Sequence, residues 1–123
     1  KSSTKVMYFD PNTNWTTNKN ERFAAYVYEK STGDGKWYSM TEDASHNCYT
    51  FTMDASGKYD MIIFSRMNGN TTENSWDNEW NRTPGAHGGK VEGIAIPTDG
   101  TNCFVQATGN DGWDNCGGSW TTK

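Results

Sequence analysis

Apolar and polar residues alternate with a period of two through the stretch from Arg22 to Met40, RFAAYVYEKSTGDGKWYSM. Phe23, Ala25 and Val27 fall on one face of an extended segment, and Ala24, Tyr26 and Tyr28 fall on the other. A Gly/Asp-rich turn from Ser31 to Gly35 returns the chain into a second strand, in which Tyr38 and Met40 point inward and Trp37 outward. The same pattern predicts a first strand from Val6 to Asp10, stopped by Pro11. It predicts another over Tyr49 to Met53, with Tyr49, Phe51 and Met53 on one side. Tyr59 to Met67, YDMIIFSRM, is the most apolar run and reads as a central strand covered on much of both faces. Val91 to Ile96, Cys103 to Gln106 and Ser119 to Thr121 are shorter strand candidates.

Turn residues punctuate these runs at Asn12 to Asn14, Ser56-Gly57, Asn68-Gly69-Asn70, Gly85 to Gly93 and Asp99-Gly100. Trp15, in the first loop, is expected to cap one end of the core. Trp76 and Trp80 are four apart, which fits one face of a helical turn or one face of an extended segment; periodicity leaves both open. Short strands about ten residues apart, joined by polar turns, imply an all-β antiparallel sandwich. No internal repeat or linker divides the chain, so 1–123 reads as a single domain. The start, Lys1-Ser2-Ser3-Thr4, reads as a linker end, so the expectation is a piece of a larger multidomain protein.

Composition narrows the classes of function. Apolar residues make up only 33% of the chain but aromatics 14%, so the core is expected to be small and rich in rings. Leucine is absent, which argues against packed helices. A net charge of −4 offers no basic stripe for nucleic acid. No run of about 20 apolar residues offers a membrane-spanning helix. The three cysteines are an odd count: Cys103 and Cys116 could bridge a Gly-rich loop and leave Cys48 over, or all three could be buried thiols. His46 and His87 lack paired ligands, so no zinc site is expected.

No GxSxG, HExxH, phosphate-binding or dinucleotide-binding motif occurs. Neither histidine has a Ser or Cys partner identifiable in the sequence. Asp77 and Glu79 read as solvated acids rather than a catalytic pair, and a small sandwich has little room for a hydrolase cleft. The expectation is a non-catalytic domain without a cofactor. Calcium is the one candidate ion, in the oxygen-rich loop Asn110 to Asn115, although that loop lacks the usual order of ligands. Asn14-Trp15-Thr16, Asn70-Thr71-Thr72 and Asn81-Arg82-Thr83 match the N-glycosylation pattern.

What remains is the outward face carrying Tyr26, Tyr28 and Trp37. One such ring is ordinarily a cross-strand packing residue. Three on one patch point to a flat, partly apolar ligand such as a sugar ring, whose C–H face lies on the aromatic while its hydroxyls find partners at the rim.

In order along the chain, YFD near the start, AYVY followed by a turn and Trp37, YTFTM, MIIF and the segment W-x-N-x-W-N-R-T resemble starch-binding modules of carbohydrate-binding family 26. They are similar also to the related family 25. The resemblance covers Val6 to Thr83 and implies an immunoglobulin-like β-sandwich that binds starch or malto-oligosaccharides without catalysis. It implies a monomeric module of a bacterial protein, secreted or attached to the cell surface, working beside other modules in polysaccharide degradation. It places the sugar-stacking platform on Tyr26 and Trp37, with Tyr28 alongside. Arg82 stands where the family has a hydrogen-bonding glutamine, and its planar fork suits vicinal hydroxyls. Trp76, Trp80 and Asn81 are further contact candidates. The alternative reading is a structural or protein-interaction domain of a bacterial surface protein, with the aromatic patch meeting a protein.

Overall fold

The computed structural model describes residues 4–17, 20–54, 57–83, 93–108, 113 and 116–123. The glycine-rich stretch 84–92 with His87, most of the loop 109–115 with the calcium candidate, and the Ser56 turn position lie outside the described residues. Ten strands follow in order: β1 Thr4–Asp10, β2 Glu21–Tyr28, β3 Gly35–Ser39, β4 Thr41–Asp43, β5 Cys48–Asp54, β6 Met61–Asn68, β7 Glu79–Thr83, β8 Ile94–Ala95, β9 Cys103–Gln106 and β10 Gly118–Thr121. Single 3-10 turns at Thr13–Thr16 and Trp76–Asn78 precede β2 and β7.

The strands form two five-stranded sheets packed as a sandwich. Sheet one runs β10-β9-β1-β5-β4; sheet two runs β3-β2-β6-β7, with the short β8 also on β6. Among the described residues the pairings are antiparallel except one: β1 and β9 run parallel, Tyr8 beside Cys103 and Phe9 beside Phe104. The fold expected from the alternation is present. The strand β4 was not among the expected elements, and β8 holds Ile94 and Ala95 of the Val91–Ile96 candidate, of which Val91 and Glu92 lie outside the described residues.

Inward positions of both sheets build the core. Met7 and Phe9 from β1, Phe23, Ala25 and Val27 from β2, Phe51 and Met53 from β5, Ile62 and Phe64 from β6 and Phe104 from β9 are buried together. Rings carry much of the packing, as the composition implied: Phe9 stacks on Phe64 at 4.5 Å and Phe64 lies 5.2 Å from Phe104. Met40 is buried and Tyr38 packs against the core, as their parity predicts. Every residue of β6 from Met61 to Met67 is buried, so the central strand is covered on both faces.

Trp15 closes one end of this core and is fully buried. Asn12 caps its 3-10 turn by accepting from the Trp15 amide at 3.1 Å. The indole packs on Phe9 and Phe23, and its Nε1 donates to the Trp113 carbonyl at 2.8 Å.

The cysteines are thiols and not a bridge. Cys103 sits inside β9 and is fully buried, while Cys116 receives the Asn12 amide at 3.7 Å. Burial pushes the Cys103 thiol up to about 11, with Cys48 adding to the effect, so it stays protonated and inert.

Candidate functional site

The outer face of sheet two carries the aromatic patch. Tyr26 on β2 lies directly opposite Trp37 on β3, and Tyr28 lies opposite Gly35. The Tyr26 and Trp37 rings approach to 5.0 Å with a 55° tilt. Tyr28 is nearly parallel to Tyr26 at 5.8 Å. Gly35 makes this layout possible. A Cβ there would overlap the Tyr26 phenol and crowd the Val27 carbonyl, so the absent side chain is the space in which Tyr26 lies. Tyr28 is fixed at its tip, its hydroxyl accepting from the Gly93 amide at 2.7 Å. Burial, and then the nearby Asp34 carboxylate, raise the Tyr26 pKa above its ordinary value, so the patch presents neutral rings. Asp34 itself is held below the usual carboxylate range by Lys58, 2.7 Å away, in a solvent-exposed pair beside the patch.

A third wall comes from far along the chain. After β6 the backbone turns at Asn68 to Asn70 and crosses the outer face as a strap, residues 69–78, that ends in the second 3-10 turn. This places Trp76 at 4.5 Å from Trp37 and 5.1 Å from Tyr26, tilted by 59° and 67°. Trp76 remains 38% exposed. The patch is therefore a faceted cluster of three mutually tilted rings with Tyr28 beside it. The strap is bound to the sheet by Arg22, whose guanidinium donates to the Thr71 carbonyl, the Glu73 carbonyl and Asn74 Oδ1 at 2.7, 2.7 and 2.6 Å. Asn74 in turn donates to Ser39 Oγ on β3 at 2.9 Å.

Arg82 lies on the same face, but its fork does not point to an open rim. Its guanidinium covers the Trp76 ring at 4.5 Å and donates to Glu79 Oε1 through Nε at 2.9 Å and Nη2 at 2.7 Å. Glu79 corrects the expectation of a solvated acid: it is buried, and Ser65 Oγ donates to its second oxygen. Asp77, its supposed companion, is exposed in the 3-10 turn.

Trp80 and Asn81 are not with the others. Asn81 is opposite Arg66, and Arg66 is opposite the core residue Phe23, so this row faces inward. Trp80 falls at the irregularity between Arg66 and Met67, where its ring packs 4.8 Å from the Arg66 guanidinium. Of the seven residues expected at the site, Tyr26, Tyr28, Trp37, Trp76 and Arg82 are brought together and Trp80 and Asn81 are turned away. Arg22 escaped the sequence reading. Its place in the outward row Arg22, Ala24, Tyr26, Tyr28 was legible by parity, but its partners lie about 50 residues on and no local pattern announces them.

His46 has the serine and acid neighbours that the sequence did not identify. Ser45 Oγ lies at 3.2 Å and Asp43 Oδ2 at 2.9 Å, yet both meet Nδ1. A nucleophile relay needs the two partners on opposite ring nitrogens. The residues instead close a turn, in which Asp43 Oδ1 also accepts from the Ser45 and His46 amides. A cleft of about 700 Å³ opens at the Trp15 end of the sandwich, lined by Asp10, Glu21, Glu42, Arg22, Asn47 and Tyr49 among others. The small sandwich was expected to lack such room. Among the described residues no group of three or more His, Cys, Asp or Glu side chains is placed to hold a metal ion. Of the three asparagines in glycosylation patterns, Asn70 is the exposed one; Asn14 and Asn81 are partly buried.

Comparison with protein-family models, with curated proteins and with solved structures finds no match to this chain.

Proposed function

We propose that this domain binds starch and related α-1,4-glucans without chemistry, on the outer face of sheet two. The observation that carries the reading is the cluster of Tyr26, Trp37 and Trp76, three tilted rings in mutual contact on a rigid sheet with Trp76 open to solvent. Facets set at an angle suit the curved row of glucose rings along a helical glucan better than one flat plate does. Each stacked sugar contributes about 1 kcal/mol beyond its burial, so a single site is weak. Firm attachment to a granule then relies on further modules of the same parent protein. The reading carries with it a monomeric module of a secreted or surface-attached bacterial protein, as the sequence resemblance implies.

Native gels cast with soluble starch test the proposal. Retarded migration that disappears in Trp37→Ala, with an unchanged circular dichroism spectrum, supports it. Absence of retardation in the wild-type domain favours the protein-interaction reading, in which the same patch meets a protein. The cleft lined by Asp10, Glu21 and Glu42 favours one further reading, glycan hydrolysis. Reducing sugar released from soluble starch by the wild type, and abolished in Glu42→Gln, would replace adhesion with that activity.

A further inference from the structure

Trp76 owes its position to a strap that has little apolar packing of its own. Thr72, Glu73 and Trp76 itself are exposed, and Thr71, Asn74 and Ser75 are only partly buried. What fixes the strap is one guanidinium. Arg22 projects from the second position of β2 on the outer face and spends all three of its nitrogens on the strap. Nε donates to the Thr71 carbonyl, Nη1 to Asn74 Oδ1, and Nη2 to the Glu73 carbonyl and, at 3.3 Å, to Thr71 Oγ1. The planar fork is suited to gathering several acceptors at once, which an ammonium on a flexible stem does less well. Two auxiliary ties complete the clamp: Asn74 to Ser39 Oγ, and Asn78 Nδ2 to the Glu73 carbonyl at 2.8 Å. Beyond the clamp, Arg82 covers the indole from its anchor on Glu79.

We infer that Arg22 is a positioning residue of the glucan site: it touches no ligand, and it sets the angle and distance of Trp76 relative to Trp37 and Tyr26. The same geometry gives Arg82 a supporting role on the indole in place of sugar contact. The consequence is a site assembled before ligand arrives. Ordering a loop and its tryptophan on binding would subtract from an already small stacking energy, and a pre-tied strap avoids that subtraction. The inference rests on the proposed glucan binding for its functional meaning but not for its structural content, and the two are separable by experiment.

Among the described residues, Trp37 and Trp76 are the tryptophans in ring contact with one another, at 4.5 Å and 59°. Coupled indoles give a characteristic pair of opposite-signed bands in circular dichroism, and Trp76→Phe identifies that signal. In Arg22→Ala the bands are expected to collapse as they do in Trp76→Phe, while the cooperative thermal transition is kept. Arg22→Lys is expected to be intermediate, and Asn74→Ala to reduce the bands partially. Binding of maltoheptaose by titration calorimetry is expected to weaken roughly five- to tenfold in Arg22→Ala, the loss of about one stacked ring. In a Trp76→Ala background the same change is expected to cost nothing further, because Arg22 acts through the indole.

Bands retained in Arg22→Ala, or an undiminished penalty in the Trp76→Ala background, overturn the inference. Should Arg22→Ala fail to fold, the graded loss across Arg22→Lys and Asn74→Ala decides in its place, and unchanged bands in both overturn it. If the wild type binds no glucan, the proposed function falls and the bands alone decide the role of Arg22.

Discussion

Arg66 and Arg82 each lay a guanidinium against tryptophan, one on each side of the β6–β7 pair. Arg66 faces inward. Its plane lies 4.8 Å from Trp80 and 5.2 Å from Trp113, its Nε donates to the Trp15 carbonyl at 3.0 Å, Nη1 donates to Asn81 Oδ1 at 2.9 Å, and Nη2 approaches Glu21 at 3.9 Å. Burial draws its pKa below the ordinary arginine value, with Glu21 opposing the shift. Arg82 faces outward, anchored on the buried Glu79, and supports one indole that also meets solvent and two other rings. The inner arginine closes the end of the sandwich; the outer one steadies a surface. The two chemistries are alike, and what separates a structural assembly from a candidate binding one is the face of the strand it stands on.

That contrast can be broken most severely at the inner arginine. Arg66→Ala removes a buried cation that serves Trp15, Asn81 and Glu21 and strands the Glu21 carboxylate, so it is expected to destabilise by about 3–5 kcal/mol in urea unfolding. Arg66→Ala protein that remains folded should still be retarded by starch. Trp37→Ala is expected to do the reverse. Glucan affinity should fall about tenfold, near 1.4 kcal/mol, with the unfolding midpoint little changed, whereas Trp80→Ala should leave affinity as it was. Gly35→Ala sharpens the outer side alone: the added methyl displaces the Tyr26 phenol, and titration calorimetry should show affinity lower by roughly three- to fivefold.

The smallest effect is expected at neither arginine. Ser45 first, and then His46, hold the Asp43 carboxyl at about 2, below its ordinary 3.8. A depressed carboxylate stabilises the fold above its unfolded value and loses that contribution as pH falls from 3.8 towards about 2. Asp43 lies at the surface and is only partly buried, so Asp43→Asn should slightly flatten the acid limb of the unfolding midpoint without altering glucan binding.

Much of the architecture was legible because a half-buried strand writes its two faces into alternate residues. Phe23, Ala25 and Val27 against Tyr26 and Tyr28 is such a record, and so is the doubly apolar run of β6. What alternation does not encode is pairing between distant strands, so the parallel neighbours β1 and β9 carried no local mark. The site was half legible for the same reason. Tyr26, Tyr28 and Trp37 are neighbours in one hairpin. Trp76 and Trp80, four apart in sequence, part company because a 3-10 turn holds the first and a strand irregularity redirects the second. Glu79 read as solvated because nothing nearby in the sequence shows that Ser65 and Arg82 will enclose it.

The strand that starts at Thr4 and the strand that finishes at Thr121 both belong to sheet one, with β9 between them, whereas the tilted rings sit on the exterior of sheet two. Neither of those strands lies under the rings, so the ring-bearing side is left unobstructed by them, like the open palm of a hand.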